Sequence, residues 1–178
     1  MIERKLLNRI SITGSESTAK SWLTVELAKY YKACRVDEYS REFLSENNIY
    51  TETDIIKIAK EQLSREEIIA SGCDSLVFCD TDVLVNKIWS TYVYQNCDPW
   101  IEKEFINHEY GLYLLCAPDI EWEYDPLREN PDNRQEIFIL YENALKDAGF
   151  NYKIISGQGN KRLQNAVKAV DTYLLNKY

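Results

Sequence analysis

The stretch Ile10-Ser11-Ile12-Thr13-Gly14-Ser15-Glu16-Ser17-Thr18-Ala19-Lys20-Ser21-Trp22-Leu23-Thr24-Val25-Glu26-Leu27-Ala28 decides the fold. It begins as an apolar strand, passes through a loop of small polar residues and continues as a helix, with Leu23, Leu27, Ala28 and Tyr31 at helical spacing. The phosphate-binding P-loop pattern is Gly, four free positions, Gly, Lys, then Ser or Thr, and Gly14 to Ser21 keeps every fixed position except the second Gly, which is Ala19. The pattern has a physical basis. Backbone N–H groups of the loop and the positive end of the helix surround a phosphate, a Lys neutralises the outer phosphate oxygens and a hydroxyl meets Mg²⁺. Lys20 and Ser21 supply the last two, and Gly14, Ser15, Glu16, Ser17, Thr18 and Ala19 the cradle. A Cβ at Ala19 is tolerated if the residue already lies in the first helical turn and is costly at positive φ. We expect the first arrangement. The competing explanation is a polar loop that caps a helix, with Lys20 in solvent.

Composition narrows the class. The chain has 178 residues, 45% hydrophobic and 28% charged, which is enough for one sizeable core. A net charge of −8 argues against a general binder of nucleic acid or anionic membrane, so any phosphate must be met by a local cluster of cations. Cys34, Cys73, Cys79, Cys97 and Cys116 show no Cys-x-x-Cys spacing, and several lie in apolar runs where a reduced Cys packs as a small hydrophobe. This points to a reducing, cytoplasmic setting. Met1 to Lys5 has no signal-peptide apolar core, and no apolar run reaches the length of a membrane span. His108, the only histidine, has no partner at metal-ligand spacing and is assigned a packing role.

In order, the chain alternates strand and helix. Expected strands are 9–13, 34–36, 75–79, 110–116 and 152–156, and expected helices are 21–32, 41–47, 53–71, 84–92, 99–107, 135–147 and 161–176. Asn47-Asn48 and Gly72 read as helix stops, as does Gly149. Strand Ser75 to Cys79 is almost wholly apolar, as a strand covered on both faces must be. The expected fold is therefore α/β: one P-loop kinase-like domain, a five-stranded parallel sheet with helices on both faces and a lid loop. Ligands of such sheets bind beyond the carboxyl ends of the strands.

Carboxylates stand at two of those ends. Asp80 follows the apolar strand, the place of a group that holds Mg²⁺ opposite Ser21, and Asp82 stands two residues on. Both could instead cap the next helix. Glu38 follows the second strand and is positioned to accept a proton from a substrate hydroxyl, or else to pair with Arg41. The long irregular run Pro118 to Arg134 has the length of an active-site lid, and Arg128 and Arg134 are its cations for a phosphate. Alternatively they pair with the acids of their own loop.

These residues resemble a known family. The P-loop Gly-Ser-Glu-Ser-Thr-Ala-Lys-Ser, then Glu38-Tyr39-Ser40-Arg41-Glu42, Phe78-Cys79-Asp80-Thr81-Asp82, and Trp122 with Asp125-Pro126-Leu127-Arg128 resemble, in order and spacing, the nicotinamide riboside kinase domain of NadR-type proteins. The resemblance implies ATP with Mg²⁺ and transfer of the γ-phosphoryl group to the ribose 5′-hydroxyl of a nucleoside-like substrate. It assigns Lys20 and Ser21 to phosphate and metal, Asp80 and Asp82 to the metal and sugar side, Glu38, Tyr39 and Arg41 to the substrate side, and Arg128 to the lid. Asp37 stands where the family has a Trp suited to stacking on a pyridinium ring. Either its carboxylate faces the ring and another aromatic such as Tyr39 or Trp89 supplies the stacking, or Asp37 points elsewhere. Two other function classes fit the motif: a P-loop ATPase that drives a conformational change, and a nucleotide-binding module without catalysis.

Overall fold

A computed structural model describes residues 8–46, 50–108, 110–126, 128 and 130–176. The N-terminal Met1 to Lys5 and the helix stop at Asn47-Asn48 lie outside the described residues. Five parallel strands, β1 (Arg9–Thr13), β2 (Cys34–Val36), β3 (Val77–Asp80), β4 (Leu112–Cys116) and β5 (Tyr152–Ile155), are ordered β2-β3-β1-β4-β5. The helices are α1 (Lys20–Tyr31), α2 (Tyr39–Glu46), α3 (Glu52–Ser71), α4 (Val83–Tyr94), α5 (Pro99–Asn107), α6 (Arg134–Asp147) and α7 (Asn160–Asn176). The chain winds from β1 outward to β2 and β3, then crosses β1 to β4 and β5. The switch of direction at β1 opens a crevice at its carboxyl end, where the P-loop begins.

Strand periodicity sorts the core into two layers. Ile10 and Ile12 of β1, Phe78 of β3, and Leu112, Leu114 and Cys116 of β4 pack with Leu23 and Leu27 of α1 and Ala166 and Val170 of α7. The intervening Val77, Cys79, Tyr113 and Leu115 face Ile55, Ala59 and Leu63 of α3, Leu84 and Ile88 of α4, and Ile137 and Tyr141 of α6. On β1 the positions that alternate with the isoleucines are Ser11 and Thr13, so this central strand turns hydroxyls, not methyls, toward the second layer. Their partner is a carboxylate of the site.

Two expectations are revised here. The expected strand from Tyr110 begins only at Leu112, because Tyr110 belongs to a buried polar cluster at the amino end of the sheet. Its hydroxyl donates to both oxygens of Glu66 at 2.8 Å, His108 Nε2 lies 3.3 Å from Glu66 and 3.0 Å from Arg9, and Arg9 also reaches Glu67 at 2.7 Å. Burial and the Glu66 charge push the Tyr110 phenol well above its ordinary range. Nor are the cysteines all reduced: Cys34 at the start of β2 and Cys73 just after α3 form a disulfide, with Cα atoms 6.4 Å apart. Their separation of 39 residues carries no motif, and only the return of α3 to the edge strand brings them together. Cys79 and Cys116 are buried free thiols, as small hydrophobes in strands should be. Among the described residues no helix is long and apolar enough to cross a membrane.

Candidate active site

The P-loop runs from β1 to α1. Gly14 has φ 128°, and a Cβ there would stand 2.9 Å from the Cys116 carbonyl oxygen, so the loop leaves β1 by a path open only to glycine. The loop folds on itself through the Ser15 carbonyl, which accepts from Thr18 Oγ1 at 2.7 Å and from Lys20 Nζ at 2.8 Å. Ser17 and Ala19 have φ of 54° and 60°. Ala19 is thus the residue before the helix in the left-handed region, not part of its first turn, which corrects the sequence expectation. The glycine of the P-loop pattern would adopt this conformation freely, whereas an L-residue gives up about 1–2 kcal/mol. Left-handed residues in such loops turn successive N–H groups to one side, the arrangement of an anion-binding concavity.

Asp80 ends β3 almost fully buried beside the Ser21 hydroxyl. Burial, reinforced by the charge of Glu38, raises its carboxyl to about 7, against the opposing pull of Ser21, Lys20 and Arg41. Its Oδ1 and the Ser15 hydroxyl are buried without a hydrogen-bond partner. A buried acceptor left open beside a P-loop hydroxyl fits a hard cation. Among the described residues no three acidic or His/Cys side chains group as a metal cage. Mg²⁺ needs none where phosphates and water complete its shell.

Asp82 goes elsewhere. Thr81, a β-branched residue at φ 71°, turns the chain so that Asp80 and Asp82 point to different places. Asp82 caps α4 by accepting from the Val85 N–H at 3.1 Å, and it also accepts from the hydroxyls of Ser11 and of Thr13, the latter at 3.3 Å. Burial nonetheless outweighs these bonds and raises it to about 6. The hydroxyl side of β1 thus serves this buried cap, which lines neither cavity described below.

Just after β2, Glu38 accepts from Ser40 Oγ at 2.6 Å and Arg41 Nε at 3.2 Å, and Arg41 reaches the irregular segment through Asp125 at 3.0 Å. Tyr39 packs outward, with the Arg65 guanidinium 4.2 Å from its ring centre. Asp37 is exposed and paired with Arg35 at 2.9 Å, so of the two arrangements open to it the structure takes the one that points away.

The irregular segment rests on the P-loop. Ser17 Oγ accepts from the Glu123 N–H at 3.0 Å and from Arg128 at 3.4 Å, and the Ser17 carbonyl accepts from Arg134 at 3.0 Å. Asn130 donates to Glu16 through its backbone and side chain, at 2.8 and 2.7 Å. Both arginines singled out from sequence therefore meet the loop, and they do so on the same residue.

Two cavities adjoin here. One, about 590 Å³, lies over the P-loop between Lys20, Ser21, Arg41 and Arg128. The other, about 200 Å³, is walled by Tyr50, Val85, Trp89, Tyr92 and Tyr141. Glu16, Lys20, Glu38, Ser40 and Leu44 line both and form the boundary. The aromatic wall is pinned by Trp89 Nε1 donating to the Tyr50 hydroxyl at 3.1 Å and by Asn133 of the lid donating to the Tyr92 hydroxyl at 2.8 Å.

A family model described as an AAA domain matches residues 9–162. The chain belongs to that AAA domain family. Among solved structures, the NadR protein in complex with NR superposes with a TM-score of 0.80 at 22% identity, covering 93% of this chain and 51% of that one. The chain thus spans about half the length of NadR. A deoxyadenosine kinase from M. mycoides with dCMP and dCDP bound matches at 0.64 and 12% identity, over 92% of this chain and 99% of that one. The YorR protein of Bacillus subtilis in complex with phosphorylated GDP matches at 0.55 and 15%, over 96% and 98%. At these identities the shared property is the fold.

Two parts of this AAA domain escape sequence reasoning. Tyr50, Tyr92 and Tyr141 have the spacing of ordinary packing residues, and only their convergence makes a cavity wall. Arg162, fully buried in α7, donates to the carbonyls of Gly157 at 2.7 Å, Thr18 at 3.0 Å and Ala117 at 3.0 Å and pairs with Asp119. An arginine in an otherwise amphipathic helix gives no sign of such partners.

Proposed function

We propose that this AAA domain is an ATP- and Mg²⁺-dependent kinase of a nucleoside-like small molecule, of the nicotinamide riboside kinase type, acting on the ribose 5′-hydroxyl. One observation carries the reading: Glu38 lies on the boundary between a cation-lined cavity over the P-loop and a cavity walled by aromatic rings. The first matches a polyphosphate and the second a planar base, so the sugar hydroxyl would fall beside Glu38.

The residues divide the work. Lys20 moves from the Ser15 carbonyl to the outer phosphates, Arg128 leaves Ser17 to meet the transferring group, and the P-loop N–H groups hold the β-phosphate. Glu38 accepts the hydroxyl proton as the oxygen attacks phosphorus and the bond to the leaving ADP oxygen breaks. Asp80 and Ser21 would hold Mg²⁺, which neutralises charge on the phosphates. The lid excludes water that would otherwise take the phosphoryl group. Trp89 and Tyr92 supply the ring contact that Asp37 does not.

Thermal-shift measurements with ATP–Mg²⁺, with a nucleoside panel including nicotinamide riboside, adenosine and uridine, and with both together test the reading. Ligand at about 100 times its Kd adds about 2.7 kcal/mol of stability. Stabilisation by both ligands together, with ADP formed only when one nucleoside is present, is the expected result. Stabilisation by ATP alone with nucleoside-independent hydrolysis replaces it with a plain ATPase, and no response to either ligand replaces it with a protein that has lost nucleotide binding.

A further inference from the structure

We propose that Arg162 is a positioning residue that holds the P-loop in its phosphate-binding shape and takes over the part a glycine plays at position 19. The proposal rests on the nucleotide reading of the loop. Ser17 and Ala19 are both left-handed, and Thr18 lies between them. The Thr18 carbonyl is the one that Arg162 Nη1 takes, at 3.0 Å. The Thr18 carbonyl belongs to the peptide that leads into Ala19, so a hydrogen bond to it fixes the plane of that peptide and with it the left-handed φ that Ala19 does not favour by itself.

The guanidinium is well placed to bear that load. It is 0% exposed and is held from three other directions, by Gly157, by Ala117 and by Asp119, so it cannot swing away with the loop. Four of its five N–H groups are thereby engaged, and with no exposed surface it is not a phosphate ligand. Ala117 directly precedes the lid segment and Asp119 lies at its start, and Gly157 follows β5, so the same side chain ties the P-loop to the base of the lid and to the adjoining β5–α7 turn. Lysine cannot replace it, because a single ammonium lacks the planar fork that meets carbonyls on several sides.

The test is a cycle of wild type, Arg162→Lys, Ala19→Gly and the double variant, read by calorimetric Kd for ATP–Mg²⁺ and by Tm without ligand. Loss of Arg162 frees Ala19 to relax and spoils the cradle, so Arg162→Lys should weaken ATP binding by about ten-fold or more, while nucleoside binding changes less. Glycine adopts the left-handed shape unaided, so Ala19→Gly should improve ATP binding at least about five-fold more in the Arg162→Lys background than in the native one. A double variant as weak as Arg162→Lys, or an Arg162→Lys protein that binds ATP like wild type, overturns the proposal. Should Arg162→Lys fail to fold, Ala19→Gly alone decides: released strain raises Tm by about 1–4 °C, and an unchanged or lower Tm overturns it. If wild type binds no ATP, the functional reading fails, and the ligand-free Tm values still decide the coupling. The gain from Ala19→Gly should then be larger with Arg162 present than with Lys, and equal gains overturn it.

Discussion

Buried carboxylates stand at both ends of this sheet, and they are treated in opposite ways. At the amino end Glu66, fully buried, accepts from Tyr110 and lies among His108 and Arg9, so the chain itself meets its charge. At the carboxyl end Asp80, 3% exposed, keeps an oxygen that nothing in the described residues meets. Burying a charge without a partner is costly, and folds keep such groups where a ligand completes them. On the proposed function, the difference separates a carboxylate that holds the fold from one kept for a ligand.

The contrast can be broken experimentally. The largest effect belongs to Lys20→Ala at the carboxyl end, which should cut phosphoryl transfer by about 10³-fold or more while Tm stays within about 2 °C of wild type. Steady-state turnover of the best nucleoside, beside a melting curve, reads both. Retained turnover would remove the phosphate role from the loop. At the amino end the pattern inverts: Glu66→Ala leaves Arg9 without its buried counter-charge and should cost about 3–5 kcal/mol of stability. Denaturant unfolding measures it, and a loss below 1 kcal/mol would show that Glu66 is not the anchor of that cluster.

Next in size is the pH dependence. The folded Asp80 carboxyl, at about 7, lies above the ordinary aspartate value of about 3.9 that the unfolded chain takes, so the fold favours the protonated form. Its stability contribution is therefore complete below about pH 4 and is lost as pH rises through 7. Wild-type Tm should fall between pH 5 and 8, and Asp80→Asn should flatten the fall and, at pH 8, exceed wild type in unfolding free energy by on the order of 2–4 kcal/mol. Asp82, at about 6, leaves a residual slope of the same sign. The Asn variant should lose turnover and need more Mg²⁺. An unaltered pH profile would mean that Asp80 is charged and partnered in the free protein. The smallest effect is that of Tyr110→Phe, which removes one donor to Glu66 and should cost about 1–2 kcal/mol, measured by the same unfolding curves, with turnover unchanged.

Much of the carboxyl end was legible beforehand because local pattern and chemistry coincide there. An apolar run before Gly14, a helix after Ser21 and an acid closing a buried strand are each short-range features, and a parallel sheet gathers strand ends by its topology. For Asp82 the residues leave a helix cap open beside the sugar side, and they do not reveal its further partners, because Ser11 and Thr13 lie about seventy residues away on β1 and the turn at Thr81 has no signature in residue type. The sequence places Arg128 and Arg134 in the irregular segment but does not show their shared contact with Ser17.

The amino-acid sequence by itself determined the alternation of strands and helices, the parallel sheet and the site of the P-loop, because hydrophobic period and loop composition act over a few residues at a time. Tertiary structure alone decided the left-handed Ala19 and the arginine beneath it, the Cys34–Cys73 disulfide, the meeting of Tyr50, Trp89 and Tyr141, and which of two neighbouring aspartates is left open. Each of these depends on groups far apart in the chain whose positions are set by how the helices close over the sheet, and pairing of that kind leaves no trace in local spacing.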